Sequence, residues 1–130
     1  MNAAPLSSIR DQNLAAAEEQ YHCALDLVAA GDPCAAVEGF QACLNLNPEK
    51  LDAMHGLVRA LQDCGRLDEG IVWATQLIEC DPSDPLAHTA LSILYQHKGM
   101  IAEAEAEATK ARLLDWKRQL QQGIKPTTQL

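Results

Sequence analysis

The residues of this 130-residue chain best suited to metal binding or nucleophilic attack are four histidines, His22, His55, His88 and His97, and five cysteines, Cys23, Cys34, Cys43, Cys64 and Cys80. A metal site needs ligands that converge on one point, and these histidines form no two-His motif at helical spacing with a third acidic ligand. The cysteine count is odd and no C-x-x-C pair occurs, so neither a zinc site nor a disulfide framework is expected. Cys23 and Cys43 fall at apolar positions, where a thiol is a small core filler, and Cys34, Cys64 and Cys80 fall near helix ends. A nucleophilic cysteine would need a paired base and a lowered pKa, and no such arrangement is visible. Nor is there a glycine-rich phosphate loop, a serine elbow or a close pair of acids. The sequence therefore predicts no catalytic residue, no metal and no cofactor, and a protein that is not an enzyme.

The surroundings of these side chains are helical. Apolar residues make up 48% of the chain and aromatics only 4%, and the abundant alanine and leucine favour helices because they lose little side-chain entropy there. A net charge of −8 speaks against nucleic acid, which requires a clustered basic face. Residues 1–100 hold five basic and fourteen acidic side chains, whereas Lys110, Arg112, Lys117, Arg118 and Lys125 stand against Asp115 near the end. An acidic body thus carries a basic C-terminal segment. The N-terminal MNAAPLSSIRDQNL lacks the basic start and apolar run of a signal peptide, and no stretch approaches the length of a membrane span. The expectation is a cytoplasmic protein with no membrane or nucleic-acid partner.

A shift of 34 residues lays the chain over itself: Gly31 falls on Gly65 and Gly99, Pro48 on Pro82, Leu27 on Leu61 and Tyr95, Cys23 on Leu57 and Leu91, and Ala36 on Gly70 and Ala104. A repeat of that length built of two helical patterns is the signature of stacked helix hairpins. Each glycine stops a first helix in the left-handed cap conformation. Asp32 before Pro33, Asn47 before Pro48 and Asp84 before Pro85 then offer an N-cap and a preset first-turn dihedral. Helices of about 14 residues, roughly 20 Å long, are too short to be stable alone in water.

With that register in place, the chain resembles the tetratricopeptide repeat family, whose pattern is W-x2-L-G-x2-Y, then A-x3-F, then P. The matching residues are Gln20, Cys23, Ala24, Leu27, Ala36, Phe40 and Pro48 in the first unit. In the second they are Met54, Leu57, Val58, Leu61, Gly70, Ala74 and Pro82, and in the third His88, Leu91, Ser92, Tyr95, Ala104 and Ala108. The resemblance implies an all-α, right-handed superhelical stack of three hairpins over 17–118, with repeats 17–50, 51–84 and 85–118. Residues 1–16 are expected as a partly helical or flexible extension, and 119–130 as the end of a long terminal helix and a flexible tail.

It also implies a concave groove made by the first helix of each unit, and a function in binding segments of other proteins. In this register the groove holds Tyr21, Leu25 and Val28 from the first unit, His55 and Arg59 from the second, and Leu86, Thr89, Ile93 and His97 from the third. A subfamily that grips a chaperone's terminal carboxylate does so with two lysines, two asparagines and an arginine. Those places are taken here by Tyr21, Leu25, Gly56, Leu86 and Ala90, which disfavours that mode, with Arg59 left as a single basic group in the groove. The aliphatic groove suits an apolar peptide or an amphipathic helix, unless Leu6, Ile9 and Leu14 fold back to fill it.

The terminal segment, from about Ile101 to Gln122 with Gly123 as the stop, carries Leu113, Trp116 and Leu120 on one stripe. Two readings remain open: the stripe caps the end of the stack, or it is a homo-oligomer interface anchored by tryptophan. In EAEAEAEATKAR, Ala104, Ala108 and Ala111 are expected to pack, with Glu103 and Glu107 on the solvated side. Trp73 reads either as half-buried on the convex side or as a second contact surface.

Overall fold

The computed structural model describes residues 6–123, with the side chains described from Ser8 onward. These residues form six α-helices: α1 (Leu6–Ala29), α2 (Pro33–Leu46), α3 (Leu51–Cys64), α4 (Leu67–Cys80), α5 (Pro85–His97) and α6 (Ile101–Gln121). No strand occurs among them. None of these helices is long and apolar enough to cross a membrane. The expected C-terminal tail and the first five residues lie outside the described ones.

The punctuation seen in the sequence sets the helix ends. Gly65 has φ +83°, and in that left-handed turn its N–H reaches Gln62 while the Arg66 N–H reaches back to the Leu61 carbonyl, so the last carbonyls of α3 are satisfied. Gly31 and Gly99 end α1 and α5 with the same sign of φ. Asp32 caps α2 through its Oδ1, which accepts from the Ala35 N–H, and Asp84 caps α5 by accepting from Leu86. The Asn47–Pro48 pair behaves otherwise. Asn47 terminates α2 and accepts from the Glu49 N–H in a turn, and α3 begins after Lys50 with no side-chain cap.

The chain divides into two compact units, Met1–Arg66 and Leu67–Leu130. In the first, α2 packs on both α1 and α3. Phe40, Val37, Cys43, Leu57, Val58 and Leu61 are its largest fully buried side chains. Gly56 lies directly against the Phe40 ring, for a Cβ there would come within 2.5 Å of Cε1; only glycine lets α3 approach α2 this closely. In the second unit α5 packs on α4 and α6, and Ala74, Leu77, Ala87 and Leu94 have no exposed surface. Trp73 is half-buried.

α1 is a single helix from Leu6, so Ile9 and Leu14 continue the axis that carries Tyr21 and Leu25 and do not double back over them. The Leu6 side chain lies outside the described ones.

Two cysteine expectations are overturned. Cys34 and Cys64 form a disulfide, with Cα atoms 5.1 Å apart and a separation of 30 positions in sequence. Spacing gave no sign of it because the two residues sit in different repeats: one lies at the start of α2, the other at the end of α3, and only packing of α3 on α2 brings them together. Cys23, expected in the core, is exposed, while Cys43 is buried and free.

Candidate functional site

Leu86, Thr89 and Ile93 fall three to four residues apart on α5 and therefore share one helix face. They line a hollow of about 430 Å³ with Pro85, Ser92 and Gln96 from the same helix and Ala108, Ala111, Arg112 and Asp115 from α6. The floor is made of small groups. Ser92 is buried and donates its hydroxyl to the Ala104 carbonyl at 2.7 Å, binding α5 to α6 without leaving an unsatisfied polar atom. Ala108 and Ala111 lie beside it, and Leu86 stands over them at 63% exposure. Arg112 brings a guanidinium to the edge, where Nη2 donates to Thr109, and Asp115 adds one carboxylate.

A second contact fixes the position of α6. The His88 Nδ1–H donates to Glu107 Oε2 at 2.6 Å, both side chains being nearly buried, and Lys110 bonds the other carboxylate oxygen. Glu107 thus faces inward, not to solvent as expected, because His88 occupies the place where the repeat pattern puts an aromatic. Burial pushes the Glu107 carboxyl up, but the bonds from His88 and Lys110 outweigh it, and the group titrates below its ordinary 4.5. A depressed carboxylate contributes stability that is complete above the unfolded-state value and lost as pH falls through the folded one. Thermal melts of the wild type should therefore drop more steeply below about pH 4.5 than those of Glu107→Gln. Parallel curves would show that the pair contributes nothing to folding.

The other groove candidates lie in the first unit, except His97. Leu25 and Val28 are exposed on α1, at 39% and 42%. Tyr21 is half-buried and engaged, its ring centroid 6.0 Å from that of Phe40 and 4.6 Å from the Lys50 ammonium, which also bonds Glu18. Arg59 is exposed but its Nε donates to both oxygens of Asp63. His55 is half-buried on α3. His97, the last residue of α5, is exposed and does not line the hollow.

Sequence reasoning missed the α6 half of the hollow, because it drew the groove from first helices alone. The signal was present: Ala108 stands where the first repeat has Phe40, and the lost ring leaves the space. Leu113, Trp116 and Leu120 remain exposed, at 58%, 49% and 58%. At about 100° per residue they point away from the face of α6 that carries the buried Ala104 and Ala111. Among the described residues no group of three or more His, Cys, Asp and Glu could hold a metal ion.

The sequence profile of the tetratricopeptide repeat matches residues 27–94, just over half of the chain. No curated protein sequence gives a significant match. Among solved structures, MamA superposes with a TM-score of 0.74 at 24% identity, over 78% of this chain and 60% of its own length. The type III secretion translocator chaperone SycD of Yersinia enterocolitica gives 0.76 at 22%, over 87% and 84%. YrrB, described as a TPR protein with an unusual peptide-binding site, gives 0.73 at 23%, over 75% and 50%. The chain thus spans about 60% of the MamA structure's length.

Proposed function

The chain belongs to the tetratricopeptide repeat family, and we propose that it is a non-catalytic protein-interaction module that holds an apolar peptide or amphipathic helix of another protein. The observation that carries this reading is the open aliphatic hollow between α5 and α6, lined by Leu86, Thr89 and Ile93 over an alanine floor. An aliphatic hollow with a few polar groups at its edge suits burial of apolar side chains, with the polar groups fixing orientation. Within the first unit, Leu25 and Val28, exposed on α1, and His55 on α3 are proposed as a contact surface of their own, and His97 as a further contact on α5. An acidic group on that peptide is proposed to be oriented by Arg112 at the edge of the hollow, while Arg59 spends its Nε on Asp63. The peptide complex of SycD and the peptide-binding site of YrrB support a peptide as the kind of ligand, though not its identity.

A second reading rests on the exposure of Leu113, Trp116 and Leu120: a structural subunit that self-assembles through α6. One experiment separates the two. Wild type, Leu86→Glu/Ile93→Glu and Trp116→Glu, each shown to be helical, serve as baits in the native host's lysate, and the recovered protein is purified and titrated. The module reading expects binding to weaken about tenfold or more per aliphatic anchor lost, with Trp116→Glu unchanged. A protein that recovers only copies of itself, and loses them in Trp116→Glu, would establish the second reading instead.

A further inference from the structure

The chain contains one two-helix arrangement twice, with different things lying on it. A shift of 68 residues lays α1 and α2 over α5 and α6, placing Ala24 on Ser92, Phe40 on Ala108 and Cys43 on Ala111. In the first unit this face is the seat of α3, with Ala24, Phe40 and Cys43 fully buried and Gly56 of α3 against the Phe40 ring. In the second unit the same face is the open hollow, and Ala108 stands where the ring would be.

We propose that the hollow is a seat for a helix of another protein, lying on α5 and α6 as α3 lies on α1 and α2. The helix carries a bulky aliphatic side chain where α3 has Gly56, and an acidic one where Lys50 precedes α3. This rests on the reading of the chain as an interaction module and states what that module holds.

Both requirements follow from what differs between the two copies. Phe40 is a knob that tolerates only glycine opposite; Ala108 is a hole, and a void facing an incoming helix forfeits the contacts that a branched aliphatic would make. The charge is inverted as well. Lys50 bonds Glu18 and sits over Tyr21, but the equivalents of those two residues are Leu86 and Thr89, which offer a cation nothing. In place of Leu44 the second copy has Arg112, at the edge of the hollow with Asp115 beside it, so a cation now stands where the first copy has an aliphatic side chain. Arg112 offers a carboxylate on the incoming helix a partner at that end.

The test uses the full chain and a synthetic peptide with the sequence Lys50 to Asp63, held helical by a lactam on its outward face. One form carries Lys50→Glu and Gly56→Leu; the control carries Lys50→Glu alone. Calorimetric titration should show the leucine peptide binding about tenfold or more tightly than the glycine peptide. Ala108→Phe, which rebuilds the knob, should reverse that order, and Ala108→Leu should weaken the leucine peptide while the protein stays helical. Absence of binding, equal affinities, or an order indifferent to Ala108→Phe would overturn the proposal. So would sedimentation showing a wild-type dimer that Ala108→Phe makes monomeric, for then the occupant is a second copy. A native partner lost in Leu86→Glu/Ile93→Glu but unmoved by Ala108→Phe would leave the module reading standing and remove only the helix seat.

Discussion

Phe40→Ala should lower the stability of the protein by about 3–5 kcal/mol, measured by urea denaturation followed by circular dichroism. The Phe40 side chain has no exposed surface, packs against the Tyr21 ring at a tilt, and is in van der Waals contact with α3 at Gly56. Removing it loses the transfer free energy of the ring and leaves a cavity that two short, rigid helices collapse around poorly. Gly56→Leu alone should also destabilise, by about 1–3 kcal/mol, because it overpacks the same space. The double variant should recover part of the loss, since hole and knob change places. A Phe40→Ala protein within about 1 kcal/mol of wild type, less than the least cost of such a deletion, would mean that α3 does not rest on this ring.

Breaking the Cys34–Cys64 bridge carries the second large effect. A cross-link spanning 30 residues restricts the unfolded chain by about 3–4 kcal/mol at 25 °C on the loop-entropy account. Cys34→Ser/Cys64→Ser should therefore unfold at correspondingly lower urea, and a reductant should move wild type to the same midpoint while leaving the variant where it is. Identical midpoints with and without reductant would show that the pair is not bonded in solution. In a cytoplasmic setting, glutathione and thioredoxin would keep these groups as thiols. Alkylation in freshly lysed cells reads their state directly.

The period of 34 made the helices and their turns legible, because a left-handed cap needs glycine and a first turn tolerates proline wherever the hairpin occurs. Gly65 and Asp32 thus announce their roles locally. Lys50, Cys34 and Glu107 do not. Lys50 starts α3 without a capping side chain because packing on Glu18 and Tyr21 holds that end. Cys34 finds Cys64, and Glu107 finds His88, across helix interfaces, so no spacing within one helix reveals either pair. The concave list follows from the family register together with helical spacing, and Leu86, Thr89 and Ile93 do share a hollow. Its other wall, Ala108, Ala111 and Arg112, depends on what the second helix lacks, and a missing side chain carries meaning only once the first copy of the arrangement shows what should fill the space.

On the proposed function, the α5–α6 hollow is the working surface. Site-specific photo-crosslinking in the native host tests it most directly, with a benzophenone side chain at Thr89 in one strain and at Trp116 in another. A working hollow gives a crosslinked partner of another sequence from position 89 and none from position 116. Crosslinks confined to position 116, or from position 89 only to further copies of this chain, would contradict it.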